Sequence, residues 1–118
     1  MPTRVLIVDD NALFLEAAAE LLEREGIDVV GTASGSAEAI RLAEELRPDV
    51  LLVDVDLGLD DGFEVARTLS SDSAVSSNVI LVSTHSEGEL GDLIATSPAL
   101  GFIHKPRLSA QTIGELLD

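Results

Sequence analysis

Two kinds of hydrophobic pattern alternate along the chain. Short blocks of Val, Leu and Ile are separated by longer stretches in which apolar residues recur every three or four positions. The first kind reads as buried strands and the second as amphipathic helices. Arg4–Val8 is the first strand. A helix follows over Ala12–Glu25, with Glu16, Glu20 and Glu23 on one face and Phe14, Ala18, Leu21 and Leu22 on another, and Gly26 stops it. Asp28–Thr32 is the second strand. Ser36 is placed to cap a helix that carries Ala39, Ile40, Ala43 and Leu46 inward and ends before Pro48.

Val50–Val53 is the third strand, and Gly58–Gly62 a turn-rich loop after it. The next helix starts near Gly62 or Phe63 and buries Phe63, Val65, Ala66 and Leu69, followed by a polar stretch over Ser70–Asn78. Val79–Ser83 is the fourth strand, Glu87–Ser97 a helix weakened by Gly88 and Gly91, and Gly101–Ile103 a short fifth strand. Ser109 is placed to cap a last helix with Ile113, Leu116 and Leu117 inward. Strict alternation of strand and helix predicts an α/β fold, a doubly wound parallel sheet with right-handed crossovers. With 118 residues and no repeat or linker, residues 1–118 are expected to form one domain.

Composition narrows the function classes. The chain is 46% hydrophobic with 3 Phe and no Trp or Tyr, so its core is aliphatic. Its formal net charge is −15, from 22 acidic and 7 basic residues, which argues against direct nucleic-acid binding and against an anionic membrane surface. Most of that acidity is expected on solvated helix faces. No Cys is present, which removes disulfides and thiolate metal sites. The four apolar residues before Asp9 are too few for a signal peptide, and no apolar stretch reaches membrane length, so the expected compartment is the cytoplasm.

Chemistry gathers where the strands end. Asp9 and Asp10 close the first strand, Asp54 closes the third, Ser83 and Thr84 end the fourth, and Lys105 follows the fifth. Ligands of doubly wound sheets sit outside the C-terminal strand ends, so these groups are expected on one edge. Crowded carboxylates repel one another and raise each other's pKa, which makes sense around a cation. An oxygen-only ligand set suits Mg2+. Acids, a hydroxyl and a lysine form a kit for phosphoryl transfer: a carboxylate nucleophile, a cation and lysine for the phosphoryl oxygens, and a hydroxyl for a third oxygen. His85 and His104 are expected as exposed loop residues, with His85 near enough to Ser83 to influence water at the site.

The whole chain resembles the receiver domain of two-component response regulators. The motifs that carry the likeness are Asp9-Asp10, Asp54 followed by Asp61-Gly62, Ser83, and Lys105-Pro106, in order and each on its own strand end. The resemblance implies a flavodoxin-like (β/α)5 fold with strand order 2-1-3-4-5. It implies that Asp54 is the phosphoacceptor, that Asp10 binds Mg2+ directly, that Asp9 shapes the metal site through water, and that the backbone carbonyl of Asp56 is a further ligand. Ser83 stands at the switch hydroxyl, Lys105 at the phosphate-pairing lysine, and Phe102 at the aromatic rotamer switch. The likeness also implies a cis Lys105–Pro106 bond.

Some positions depart from the family pattern. Gly58 stands where proline is frequent, Asp56 adds a fourth carboxylate, Thr84 stands where a small residue is usual, and Ser97-Pro98 replaces Ala-Gly. None removes a reactive group. They bear on rates.

The implied function is a phospho-accepting switch, a signalling domain that catalyses its own phosphorylation and slow hydrolysis more than it acts as an enzyme. Its implied donor is a histidine kinase or phosphotransfer protein docking on the first helix and the strand-five loop. Its implied target uses the face of helix four, strand five and helix five, with the chain a monomer or a phosphorylation-dependent dimer. One alternative is the N-terminal receiver piece of a longer DNA-binding regulator. A second is a haloacid-dehalogenase-like phosphatase using Asp54 and Asp56, but Gly58 stands where that motif wants Thr or Val, and the motif belongs on a first strand. A calcium loop over Asp54–Val65 fails because Val65 stands at its twelfth position. The chain carries no P-loop.

Overall fold

A computed structural model describes residues 2–118. The main sheet has five parallel strands: β1 (Arg4–Val8), β2 (Asp28–Ala33), β3 (Val50–Asp54), β4 (Asn78–Ser83) and β5 (Gly101–His104), in the spatial order β2-β1-β3-β4-β5. Five α-helices connect and flank them: α1 (Ala12–Arg24), α2 (Ser36–Leu46), α3 (Gly62–Ser71), α4 (Glu87–Ala95) and α5 (Ala110–Leu117). This is the doubly wound order expected.

The period-2 alternation of a strand divides the core into two layers. Leu6 and Val8 of β1, with Leu51 and Val53 of β3, face Ala39 and Ala43 of α2 and Ala66 and Leu69 of α3. Val5 and Ile7, with Val50 and Leu52, face Ala18 and Leu22 of α1 and Ile113 of α5. The strands are covered on both faces, so β1, β3 and β4 need continuous apolar runs, and that is what the sequence supplies. Fully burying one Leu or Ile in these layers contributes about 1.5–3 kcal/mol. Register aligns the strand ends: Val8 sits beside Ala33 and Val53, Asp54 beside Val82, and Ser83 beside His104. No helix among the described residues is long and apolar enough to cross a membrane.

Several boundaries differ from expectation. Asp54 belongs to β3, β2 runs on to Ala33, and α4 stops at Ala95. There the hydroxyls of Thr96 and Ser97 donate back to the carbonyls of Asp92 and Ile94, which turns the chain out of the helix before Pro98. The loop after β3 is ordered as a small antiparallel hairpin, Asp56–Leu57 against Asp60–Asp61. Ser36 does not cap α2. It is the first helical residue after Gly35, and its amide donates to Asp60 Oδ2 at 3.0 Å, so the cap arrives from the hairpin. The Lys105–Pro106 bond is not cis, since no cis peptide occurs among the described residues. Pro106 is the middle residue of a 3-10 turn over Lys105–Arg107, close to a helical start where a missing N–H costs nothing.

Candidate functional site

The ends of β1, β3, β4 and β5 converge on one cleft. It is lined by Asp10, Asn11, Asp54, Asp56, Ser83 and Lys105, among others, and holds about 320 Å3. Carboxylate oxygens of Asp9, Asp10 and Asp54 all lie within 4.8 Å of one another. Asp9 and Asp54 are buried, while Asp10 stands exposed at the mouth.

Each group is held by local backbone geometry. Asp9 follows β1, where its amide donates to the Ala33 carbonyl at 3.0 Å, and its Oδ1 accepts from the Asn11 amide at 2.8 Å. Asn11 caps α1, its side-chain oxygen accepting from the amides of Leu13 and Phe14. Asp54 is fixed as the last residue of β3, and the next amide, of Val55, donates to the Val82 carbonyl at 3.0 Å. Asp61 caps α3 through the Phe63 amide at 2.9 Å, which turns the chain back toward Asp54. Two glycines lie close to the cluster: the left-handed φ of Gly58 favours glycine, and the backbone contact at Gly62 demands it. Gly58 has φ +72°, and a Cβ on it would lie 2.9 Å from Asp10 Oδ2; a Cβ on Gly62 would lie 2.0 Å from the Asp54 carbonyl oxygen.

Lys105 balances the cluster. Its Nζ lies 2.6 Å from Asp9 Oδ2 and 3.6 Å from Asp54 Oδ1. Burial, and next the neighbouring Asp9 charge, push the Asp54 carboxyl up to about 6, against the opposing pull of Lys105 and of the hydrogen bond from the Asp56 backbone. Asp54 therefore gains from any cation that enters the cleft. The hydroxyl oxygen of Ser83, buried at the end of β4, accepts from the His85 amide at 3.0 Å and keeps its own proton free to donate.

The structure brings Asp9, Asp10, Asp54, Ser83 and Lys105 together, with Asp56 at the rim as an exposed residue whose Oδ1 accepts from the Gly58 amide at 3.3 Å. Phe102 is half-buried away from the cleft, packed against the α2–α3 layer and lining a groove with Ser86, His104 and Leu116. His85 is exposed, as expected, and its Nδ1 lies 3.1 Å from Glu89 Oε2. His104 is only half-exposed: its Nε2 lies 2.9 Å from the Thr84 carbonyl, tying β5 to the loop after β4. The sequence reading missed Phe14, whose ring centroid lies 4.1 Å from Lys105 Nζ. Only its position four residues after Asp10, on the inward face of α1, could have pointed to it.

Comparison with known proteins identifies the class of domain that carries this edge. Residues 5–117 match the response regulator receiver domain. The chain belongs to this family of two-component signalling. It is 32% identical over 106 residues to the transcriptional regulatory protein PdtaR of Mycobacterium tuberculosis, covering 90% of this chain and 51% of PdtaR. It is 35% identical over 117 residues to a protein-glutamate methylesterase/protein-glutamine glutaminase of Myxococcus xanthus, covering 98% of this chain and 34% of that protein. Among solved structures, the signal receiver domain of the response regulator NarL from Mycobacterium tuberculosis superposes with a TM-score of 0.84 at 30% identity, covering 99% of this chain and 94% of that one. This chain thus spans about half or less of the curated relatives described, and their names refer to longer proteins.

Proposed function

We propose that the chain is a phospho-accepting switch in which Asp54 takes a phosphoryl group from a histidine kinase or phosphotransfer protein. The observation that carries this reading is a buried carboxylate at a strand end, crowded by Asp9 and Asp10 and approached by Lys105 at 3.6 Å. A carboxylate oxygen of Asp54 attacks phosphorus, the donor's nitrogen–phosphorus bond breaks, and an acyl phosphate forms. Asp10, Asp54 and the Asp56 carbonyl are the residues to hold Mg2+, with Asp9 acting through water; the all-oxygen donor set fits that ion. When bound, it neutralises charge on the phosphoryl oxygens. Lys105 leaves part of its pairing with Asp9 to meet a phosphoryl oxygen, and the free Ser83 proton meets another.

Signalling then runs through the face of α4, β5 and α5 to a downstream protein, with the donor docking on α1 and the turn after β5. Direct nucleic-acid contact by this strongly acidic domain is disfavoured. We place the domain in the cytoplasm, as a monomer or a phosphorylation-dependent dimer. Its autocatalysed phosphorylation and hydrolysis set a signal lifetime and supply no metabolic product. The reading of residues 1–118 as one receiver domain allows both a free-standing regulator and the receiver part of a longer DNA-binding one.

Intact mass after incubation with acetyl phosphate and Mg2+ tests the assignment. The parent should gain one phosphoryl group and Asp54→Asn none. A variant that gains the same phosphate would overturn the role of Asp54. Asp10→Ala should abolish the rise in melting temperature that Mg2+ gives the parent; an undiminished rise would remove Asp10 from the metal site.

A further inference from the structure

Lys105 is the sole lysine of the chain; the other six basic residues are arginine. Its side chain is only 13% exposed. Two carboxylates, Asp9 and Asp54, account for one side of the ammonium. The third contact is not a charge. The Phe14 ring stands 4.1 Å from Nζ, within the range in which the negative face of an aromatic ring attracts a cation.

The first turn of α1 builds both contacts. The Asn11 amide holds Asp9 Oδ1, which leaves Oδ2 for the lysine, and the Asn11 side chain accepts from the Phe14 amide at 3.2 Å, which seats the ring-bearing residue. Phe14 is half-buried, and Leu15 and Ala19 pack with it on the α1 side of the core. A plain core phenylalanine would spend its ring on aliphatic neighbours. This one spends a face on the ammonium. Lysine has a flexible stem and high rotamer entropy, so a group that clamps phosphoryl oxygens gains from being held before the phosphoryl group arrives.

We propose that Phe14 is a positioning residue for the phosphoryl transfer: its ring fixes the Lys105 ammonium over Asp54. This inference rests on the reading of Asp54 as the phosphoacceptor. It makes the first turn of α1 part of the phosphoryl clamp, and it ties the state of Lys105 to the helix on which the donor is proposed to dock.

The test compares Phe14→Leu, which keeps an apolar side chain, with Phe14→Tyr, which keeps the aromatic face. Rates of phosphorylation by acetyl phosphate at saturating Mg2+ are read by intact mass. Phe14→Leu should slow the reaction by about 3–10-fold, and Phe14→Tyr should stay within about twofold of the parent. In a Lys105→Met background, Phe14→Leu should add no further slowing, since the cation it acts on is gone. Because there is one lysine, its Cε proton resonance is unambiguous. It should be shifted upfield by the ring in the parent and in Phe14→Tyr, and return to the free-lysine position in Phe14→Leu. If Phe14→Leu melts below the working temperature, Phe14→Met takes its place. A Phe14→Leu chain that matches the parent in rate, or slows equally in the Lys105→Met background, overturns the proposal. A parent that takes no phosphate, or takes it equally as Asp54→Asn, overturns the phosphoacceptor reading and this inference with it.

Discussion

The two helices that follow the central strands of the site are built to opposite standards. α3 follows the strand that ends in Asp54 and buries Gly62, Phe63, Val65, Ala66 and Leu69. α4 follows the strand that ends in Ser83 and buries no residue fully; Leu90 and Ile94 are half-buried, and Leu93 is exposed. Their glycines differ in the same sense. Gly62 is wedged against the Asp54 backbone, whereas Gly91 has nothing within 4 Å of where a Cβ would stand. Moving α3 would open core and disturb the backbone of Asp54, while moving α4 exposes little that is not exposed already. The proposed switch, which holds the strand end at Asp54 still and lets the end at Ser83 shift, needs this asymmetry.

The largest expected effect breaks or confirms the comparison directly. Leu69→Ala in α3 removes a fully buried side chain and should cost about 2–5 kcal/mol. Leu90→Ala in α4 removes a half-buried one and should cost under about 1 kcal/mol. Denaturant melts of both variants measure the difference. Equal losses would mean that α4 is as firmly seated as α3.

The next effect lies at the end of β3. The Asp54 carboxyl is raised from 3.8 to about 6 by burial and then by Asp9. Such a group binds its proton more tightly folded than unfolded. The folded state therefore loses stability as pH rises from about 4 to about 6; the penalty is absent below this window and full above it. Above this window the penalty for a carboxyl raised to about 6 is at most about 3 kcal/mol. Asp54→Asn removes the charge, so it should stabilise the metal-free protein by up to about 3 kcal/mol at pH 7 and by almost nothing near pH 4. Mg2+ should narrow the gap at pH 7, because an ion at 100 times its Kd adds about 2.7 kcal/mol to a parent that binds it. Thermal melts in EDTA and in Mg2+, at both pH values, decide. A gain independent of pH would show that Asp54 is not the strained group.

Much of this was legible in the sequence, for a physical reason. Strands buried on both faces must be apolar throughout, so β1, β3 and β4 announce themselves, and the polar residue that ends each run is forced to the sheet edge. That places Asp9, Asp54 and Ser83 without a structure. What could not be read depends on partners distant in sequence. Phe14 has the signature of any inward helix residue, and its contact with Lys105 spans most of the chain. The cap of α2 comes from Asp60, 24 residues on, and Ser36 offered a closer candidate of the right chemistry. The bond before Pro106 was inferred from family likeness, which composition and spacing cannot check.

Asp60 is itself testable, at a smaller scale. It joins the hairpin beside Asp54 to the start of α2, so Asp60→Ala should cost about 1 kcal/mol, the usual worth of a helix N-cap, and Asp60→Asn should restore most of it. The Ser36 amide should exchange faster in Asp60→Ala. Unchanged stability and exchange in that variant would show that Gly35 and water suffice at this helix start.

The smallest effect on stability is the most informative about the comparison. Gly91 lies inside α4 with open space around it, so Gly91→Ala should raise stability by about 0.5–1 kcal/mol through helix propensity alone. If the low helicity of α4 is what lets it respond, that gain comes at the expense of the response. Beryllofluoride with Mg2+ should mimic the phosphoryl group on Asp54. In the proposed switch, a phosphoryl oxygen would reach the Ser83 hydroxyl by an inward movement of the end of β4, and that movement would pull on the Thr84 carbonyl that His104 holds at 2.9 Å. Amide shifts and altered exchange should therefore concentrate in Glu87–Lys105 and, beyond the first turn of α1 that meets Lys105, leave Glu16–Leu46 quiet. Ser83→Ala should still take phosphate on Asp54 and lose most of this response. Gly91→Ala should keep the phosphate and the β4 movement but show a smaller change across α4. A response spread evenly over the chain, or one undiminished in both variants, would mean that α4 is loosely packed without being the element that carries the signal.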